Sequence, residues 1–309
     1  MSWIKKGLVW KPNPSLWWQQ YYGILPTPEY LEKEQRIRVY FATACKDKYG
    51  RITYIDLDAN DPSKVLYEAP KPILDIGDMG TFDDCGVNVS AIVNTPQGQK
   101  MLYYVGYQRT VKVPYMLYAG LAIAPNQSNH FERVQTTPII GRSEQVPLSA
   151  AAPFVLLEEG VYKMWFWVAK KWTTVNEKLY LQASIGYAES NDGIHWDILN
   201  TACMEPNPQT EFSLGRPYVL KTNGLYQMWY SVRYIDKLYR IGYAESHNGQ
   251  DWIRKDETVG IDVSPEGWDS EMICYPAVLR VKDKLYLFYN GNNNGMTGFG
   301  YAEYAQPLP

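Results

Sequence analysis

A six-residue segment that recurs along the chain constrains the fold more than any other feature of the sequence. It occurs as Ile185–Ser190 (IGYAES), Ile241–Ser246 (IGYAES) and Phe299–Tyr304 (FGYAEY), and successive copies begin 56 and 58 residues apart. Fainter copies at Ala119–Ala124 and Ile52–Leu57 continue the series toward the N-terminus at intervals of 66 and 67 residues. Five copies at a nearly constant spacing predict five similar supersecondary units, each packed against its neighbours.

Each unit is predicted to contain four short strands. In the fourth unit, β-branched and aromatic residues at Pro217–Leu220 and Leu225–Val232 precede the repeated segment, and a turn at His247–Trp252 follows it. The Asn248-Gly249 pair in that turn indicates a tight hairpin, because glycine supplies the positive φ that such a turn requires. Apolar residues nowhere recur at helical spacing, so we expect almost no helix.

The two ends of the chain indicate how the units are arranged. The fifth unit stops after its third strand, whereas a spare strand, Trp3–Trp10, precedes the first unit. This spare strand can complete the last sheet and close a ring. The sequence therefore predicts an all-β fold, a five-bladed β-propeller with four-stranded blades closed by the N-terminal strand, as a single domain over residues 1–309.

Composition excludes several classes of protein. The chain has 46% hydrophobic and 20% charged residues, which is typical of a globular protein. A net charge of −3 argues against a nucleic-acid partner, and no apolar run is long enough to span a bilayer. The four dispersed cysteines and the lack of a secretory signal favour a cytoplasmic protein, and the three scattered histidines predict no metal site. We expect no cofactor.

Candidate binding residues follow from the propeller geometry. The first strand of each blade lines the central channel, and its entrance shares a face with the loop between the second and third strands. Residues at these places are predicted to bind a small polar ligand: Asp83, Asp84, Arg109, Lys170, Trp172, Glu211, Arg216, Arg233, Asp269, Glu271, Tyr275, Asn290 and Asn292. The cations among them suggest an anionic partner, because arginine binds carboxylates and phosphates through two hydrogen bonds.

These strand and turn motifs resemble a known superfamily. The second strand Tyr226–Tyr230, first strands of the form Pro-x-Val-Leu, and a Gly-Tyr-Ala-x-Ser segment followed by Asp-Gly-x-x-Trp are similar to family 43 and family 32 glycoside hydrolases. The phosphorylases of family 130 share that fold. The resemblance is greatest to cytoplasmic propellers encoded among bacterial surface-polysaccharide genes, and it implies a carbohydrate-active protein in bacterial polysaccharide metabolism.

The resemblance does not extend to the usual catalytic pair. Hydrolases of this kind place one carboxylate in the first blade and an acidic Glu before the first strand of the third blade. Here Gly23–Pro28 contains no acid, and alanines occupy Ser149–Pro153. If the protein cleaves glycosides with two carboxylates, we expect Asp83 or Asp84 to act with Glu271.

Three functions remain open from the sequence. The first is a glycoside hydrolase or glycosyl-transfer enzyme acting on an anionic or activated sugar. The second is a glycoside phosphorylase, which needs one acid only because inorganic phosphate is the nucleophile. The third is a propeller that binds a carbohydrate or another partner without catalysis.

Overall fold

The computed structural model describes residues 1–124 and 128–305, and these residues form an all-β fold, as predicted. The helical elements described are a four-residue turn of helix, α1 (Asn292–Gly295), and a 3-10 turn at Asp256–Thr258. In this part of the chain the strands are β1 (Trp3–Trp10), β2 (Tyr21–Leu31), β3 (Arg36–Ala44), β4 (Gly50–Asp58), β5 (Val65–Glu68), β6 (Val87–Asn94), β7 (Lys100–Arg109), β8 (Tyr115–Ala124), β9 (Glu132–Arg133), β10 (Ser149–Glu158), β11 (Val161–Val175), β12 (Lys178–Ser190), β13 (Asp197–Met204), β14 (Glu211–Thr222), β15 (Leu225–Tyr234), β16 (Arg240–Ser246), β17 (Ile253–Arg254), β18 (Cys274–Val281), β19 (Lys284–Asn290) and β20 (Phe299–Tyr304).

Strand pairing follows the repeat units. β2 to β5 form one antiparallel sheet, and β18 to β20 form another in which β1 pairs with β20, with Trp3 opposite Tyr304. The groups β6 to β9, β10 to β13 and β14 to β17 are each antiparallel internally. One parallel pairing between β8 and β10 and another between β12 and β14 join these three groups into a twelve-stranded sheet. Within each group, sequential strands are therefore neighbours.

The repeated segments form the third strand of each group and supply much of the core. Tyr187 lies opposite Trp165, and Tyr243 lies opposite Trp229, with all four side chains buried. The glycine before each tyrosine permits this packing. A Cβ atom added at Gly242 would lie 2.5 Å from the ring of Tyr230, closer than any real contact.

Several strands are longer than the sequence indicated. Lys170 and Trp172, expected in a loop, lie inside β11, because the β-branched run that ends at Val175 continues the hairpin. Asn176 and Glu177 close this hairpin with positive φ values of 48° and 64°, as a two-residue turn requires. Arg233 also lies within a strand, β15, rather than in the loop beyond it.

The described residues include no helix long and apolar enough to cross a membrane. The four cysteines are free thiols, and Cys45 and Cys274 are buried. In the same residues, no group of three or more His, Cys, Asp and Glu side chains is placed to hold a metal ion.

Candidate functional site

Four of the first strands share an irregularity at the residue before a proline. Leu25, Ala152, Arg216 and Tyr275 have φ values of 59°, 48°, 51° and 54°. Each lies where the pairing with the second strand shifts register. Left-handed backbone is strained for residues other than glycine, and such strain is concentrated at functional sites. The four residues line one cavity.

This central cavity has a volume of about 530 Å³, enough for a sugar residue. It is formed by the first strands of all five groups together with the ends of the second and third strands. Its aromatic lining comes from Tyr107, Tyr115, Trp167, Tyr180, Tyr239 and Tyr275. Its polar lining comes from Asn88, Arg109, Ser213, Arg216, Ser231, Arg233 and Asn294.

Arg216 is the most unusual residue of the cavity. Its side chain is 2% exposed, and its guanidinium donates to the carbonyl of Ser90 and to the hydroxyl of Thr27, the latter at 2.8 Å. Both acceptors are uncharged, and the Nε atom is buried with no hydrogen-bond partner among the described residues. Burial lowers the pKa of Arg216 from 12.5 to about 10, so the group is still charged at neutral pH.

Two further arginines line the central cavity. The guanidinium of Arg233 lies 4.4 Å from the ring centre of Tyr180 and 4.8 Å from that of Tyr239. Arg109 lies 5.0 Å from the ring centre of Tyr49. Within the described residues neither arginine forms a salt bridge with a carboxylate. The cavity thus holds three cations whose contacts are aromatic rings and uncharged oxygens.

The tyrosines and the neighbouring strands fix the cavity wall. The hydroxyl of Tyr107 donates to the carbonyl of Lys48 and accepts from the amide of Gly50, at 2.7 and 2.8 Å. Burial raises the pKa of Tyr107 to about 12, so the phenol remains neutral. The amide of Tyr275 donates to the hydroxyl of Ser231 at 2.8 Å, which supports its strained backbone.

Of the residues that the structure describes, no Asp or Glu lines the central cavity. Asp83, the first catalytic candidate, is fully buried outside the lining. Its carboxylate accepts hydrogen bonds from Tyr104 at 2.9 Å and from Thr81 at 3.0 Å, and it forms a 2.8 Å salt bridge with Arg133. These contacts engage both carboxylate oxygens of Asp83 and indicate a role in stabilising the fold.

The other two candidate acids also lie outside the lining. Asp84 accepts a hydrogen bond from the amide of Gly80 through Oδ2, and its Oδ1 is buried without a partner in the described residues. Glu271 is exposed, and its backbone carbonyl accepts from Arg240 at 3.0 Å. The structure therefore does not bring the three candidate acids together in the central cavity.

Glu211 and Asp269 are held in ion pairs away from the cavity. Glu211 is buried and forms a bidentate pair with Arg254 at 2.7 and 2.8 Å. Asp269 is buried, with Lys5 at 2.7 Å and the hydroxyl of Tyr289 at 2.9 Å. The salt bridge between Lys5 and Asp269 ties the N-terminal strand to the fifth unit.

The remaining predicted residues support the cavity or lie beyond it. Asn290 is buried, and its side-chain oxygen accepts a hydrogen bond from the amide of Leu25 at 2.9 Å, which fixes one of the strained residues of the cavity. The side-chain oxygen of Asn292 accepts a hydrogen bond from the amide of Glu271 at 2.8 Å. Trp172 packs edge-to-face on Tyr115 at 5.6 Å. The side chain of Lys170 is exposed and does not line the cavity.

The structure thus places Arg109, Arg216, Arg233 and Tyr275 in the central cavity. Sequence reasoning missed most of the aromatic lining because tyrosines are spread through all the strands. A usable signal was present, however. The residue before a proline in four of the first strands is in each case a cavity residue.

Comparison with known proteins identifies close relatives along the whole chain. Uncharacterized protein Rv1502 of Mycobacterium tuberculosis strain H37Rv is 34% identical over 302 residues, covering 98% of this chain and 99% of that protein. This chain belongs to the family of Rv1502. A second member, Uncharacterized protein MT1551 of strain CDC 1551, has the same identity and coverage. No protein-family model matches the chain.

Solved structures similar to this one include glycoside hydrolases. A glycosyl hydrolase from Bacteroides ovatus has a TM-score of 0.72 at 15% identity, covering 99% of this chain and 94% of that one. A structure from the GH130 family of mannoside phosphorylases, which contains glycoside hydrolases that target β-1,2 mannosidic linkages in Candida mannan, has a TM-score of 0.72 at 14% identity, with 100% of this chain and 96% of that one covered. A thermostable family-43 glycoside hydrolase has a TM-score of 0.66 at 16% identity, with 95% and 91% covered. These likenesses show that this chain has the propeller fold of these glycoside hydrolases.

Proposed function

We propose that this protein is a carbohydrate-active protein whose central cavity binds an anionic or activated sugar, in bacterial polysaccharide metabolism. The observation that carries the proposal is the buried, charged Arg216, which has no carboxylate partner among residues 1–124 and 128–305. An arginine in this state is costly to the folded protein, because burial removes water from the charge and uncharged oxygens replace it only in part. A carboxylate or phosphate on a ligand would supply the missing negative charge.

The other cavity residues support a sugar as the carrier of that charge. The aromatic rings provide flat apolar surfaces for the C–H faces of a sugar, and their hydroxyls provide hydrogen bonds at the edges. Asn88, Ser213 and Asn294 add uncharged polar groups that suit sugar hydroxyls. The strained backbone at the cavity wall is the expected feature of a site whose residues are held ready for a ligand.

The proposed architecture is a ring of five blades closed by the N-terminal strand. Support comes from the convergence of the first strands of all five groups on the central cavity, and from the pairing of β1 with β20. A single domain over the whole chain is part of this proposal. The free cysteines support a reducing compartment such as the cytoplasm.

Glycoside cleavage is a second candidate, favoured by one observation at Asp84. Within the described part of the chain, the Oδ1 atom of Asp84 is buried without a partner, unlike the carboxylate of Asp83, which is engaged at both oxygens. Asp84 adjoins Cys85, whose sulfur accepts a hydrogen bond from the amide of the cavity residue Arg109 at 3.4 Å. In this proposal Asp84 is the acid and Glu271 the second carboxylate. A phosphorylase would need Asp84 alone, with phosphate bound by the arginines.

Thermal denaturation with matched ligands tests the binding proposal. Glucuronate, galacturonate, glucose 1-phosphate and inorganic phosphate are each compared with neutral glucose, since a ligand of the folded state raises the melting temperature by mass action. We expect the charged sugars to raise it and glucose to have little effect. Arg233→Ala should abolish the rise, whereas Lys71→Ala, which removes an exposed cation outside the cavity, should keep it. A response to glucose alone, or an equal response in both variants, would overturn the proposal.

The same ligands identify the chemistry. Release of reducing sugar from a uronic-acid oligosaccharide that is lost in Asp84→Asn would support hydrolysis. Product formation that requires inorganic phosphate would support phosphorolysis. Binding without turnover in either assay would support a binding propeller.

A further inference from the structure

One buried position of the second strand carries a hydrogen-bond donor in three successive repeat units, and in two of them the donor has an equivalent acceptor. Tyr103, Trp165 and Trp229 occupy equivalent positions in β7, β11 and β15, each opposite the third residue of the repeated segment. The hydroxyl of Tyr103 donates to the carbonyl of Gly193 at 2.9 Å, and the indole of Trp165 donates to the carbonyl of Gly249 at 2.7 Å. In both cases the acceptor belongs to the glycine turn of the next unit.

Trp229 lacks this partner because the repeat is interrupted at the fifth unit. There the repeated segment is followed by Ala305, whose amide donates to the carbonyl of Ser2 at 2.9 Å, instead of by a Ser-x-Asn-Gly turn. Trp229 is 1% exposed, and its indole Nε1 is buried with no hydrogen-bond partner among residues 1–124 and 128–305. A buried N–H without an acceptor is disfavoured, so this donor calls for an acceptor oxygen.

A cavity of about 430 Å³ is lined in part by the Trp229 side chain, toward the opposite end of β15 from the central-cavity residues Ser231 and Arg233. This seam cavity is lined by Gln227, Trp229, Tyr243, Glu245, Arg280 and Tyr304, among others.

The charged groups of the seam cavity are unequally engaged. Glu245 already pairs with Lys255 at 2.5 Å and accepts from the hydroxyl of Tyr243 at 2.7 Å. Arg280 is exposed and forms neither a salt bridge nor a side-chain hydrogen bond within the described part of the chain. The N-terminal ammonium of Met1 also lines the cavity and donates to the carbonyl of Thr258 at 2.8 Å. Among the described lining residues the cavity therefore offers the unengaged cation of Arg280, the buried donor of Trp229 and aromatic surface.

We propose that the seam cavity is a second ligand site, which binds a sugar acid. The Trp229 indole would donate to a ring or hydroxyl oxygen, Arg280 would pair with the carboxylate, and the rings of Tyr243 and Tyr304 would pack on the apolar face of the sugar. The site uses none of the central-cavity residues, so it does not depend on the function proposed for them. It exists because the N-terminal strand fills the place of a fourth strand without supplying the glycine turn.

Crystals soaked with glucuronate test the site directly. Density for the sugar in the seam cavity supports the proposal, even if the central cavity is empty and the function proposed for it fails. Density in the central cavity alone, or in neither cavity, overturns it. Methyl glucoside, which lacks the carboxylate, should bind the seam cavity at least about tenfold more weakly in a solution titration.

Two tryptophan variants form a matched pair. Trp165→Phe removes a donor that has an acceptor, and we expect it to lower the melting temperature. Trp229→Phe loses the same buried ring volume but a donor that has no acceptor among the described residues, so the ligand-free melting temperature should fall less than in Trp165→Phe, and glucuronate should bind the seam cavity about tenfold more weakly. Arg280→Met should weaken it similarly. Unchanged seam binding in both Trp229→Phe and Arg280→Met would overturn the proposal.

A shortened chain excludes an internal occupant. A protein that ends at Ala305 should bind glucuronate as the full chain does. If the seam cavity binds glucuronate only after residues 306–309 are removed, the end of the chain competes for it, and the proposal of a ligand site is wrong.

Discussion

The central cavity and the outer parts of the sheets use charge in opposite ways. Around the outside, carboxylates are paired: Glu158 with Lys163 and Lys221, and Asp56 with Arg38. In the central cavity the described lining has arginines and no carboxylate. The two regions also differ in backbone, since four of the first strands contain a strained non-glycine residue with positive φ at the cavity, whereas the described outer strands β1, β5, β9, β13 and β17 contain none.

This difference separates charges that stabilise the fold from charges that await a ligand. A cation that serves only stability is best placed beside an acid, as Arg38 is. Arg216 is more deeply buried than Arg38, and its acceptors among the described residues are uncharged, so its charge adds to the energy of the ligand-free protein. The following four predictions test this comparison in order of decreasing effect.

Asp83→Asn should lower the free energy of unfolding by about 3 kcal/mol, because it leaves the buried partners of the carboxylate with reduced pairing. Chemical denaturation measures the change. Asp75→Asn is the control: that carboxylate is 59% exposed beside Arg51, and we expect a loss below about 1 kcal/mol. A stable Asp83→Asn protein that no longer binds or cleaves sugar would instead place Asp83 in the site.

Arg216→Met should weaken binding of the charged sugar by about a hundredfold, equivalent to roughly 2.7 kcal/mol. Its free energy of unfolding should be unchanged or higher, since an apolar side chain replaces an unpaired charge. Arg38→Met, the matched change at a paired arginine, should lose stability and keep binding. Isothermal titration measures the affinity for the sugar, and denaturation measures the free energy of unfolding. An equal loss of stability in both variants would show that Arg216 stabilises the fold as Arg38 does.

Glu158→Gln should lower the free energy of unfolding by about 1 kcal/mol at neutral pH. Burial acts to raise the pKa of Glu158, but its hydrogen bonds with Lys163, Lys221 and Tyr226 prevail and lower it from 4.5 to about 2. A lowered carboxyl pKa gives stability that is present above about pH 4.5 and lost as the pH falls toward 2.

Denaturation of the Glu158→Gln protein from pH 7 to pH 2 checks this sign. The difference from the unmodified protein should shrink across the acid range. Glu144→Gln, at an exposed carboxylate, should show no such trend.

Ala152→Gly should raise the free energy of unfolding by about 0.5 kcal/mol. Glycine removes the strain of a φ of 48°, and its greater unfolded-state entropy offsets part of the gain. Ala151→Gly, at the preceding buried residue, should be destabilising by up to about 1 kcal/mol. Thermal melts distinguish the pair, and a destabilised Ala152→Gly protein would show that the backbone there is not strained.

Much of the fold could be predicted from the repeats alone. The segment Ile185–Ser190 and its copies are third strands, and the Asn248-Gly249 pair lies in a turn. The lengths of β11 and β14 could not be predicted, because their ends are set by pairing with strands that the sequence does not identify. Lys170 was therefore expected in a loop that is in fact a strand.

The candidate site could be predicted only in part. Arg216 stood out because it precedes a proline at the start of an apolar run. Whether a charged residue lies in a cavity or in an ion pair depends on which distant side chains lie beside it. Glu211 and Arg216 belong to the same strand, yet one faces Arg254 and the other faces Thr27 and Ser90.

The sequence by itself determined the repeating all-β organisation, because strand periodicity, turn glycines and close glycine packing are local properties written into each unit. Tertiary structure decided the pairing of charges, the shape of the central cavity and the unpaired indole of Trp229. Those features arise where first strands from different units converge, or where the fifth unit meets the N-terminal strand, and contacts of that kind depend on residues as far apart as Trp3 and Tyr304.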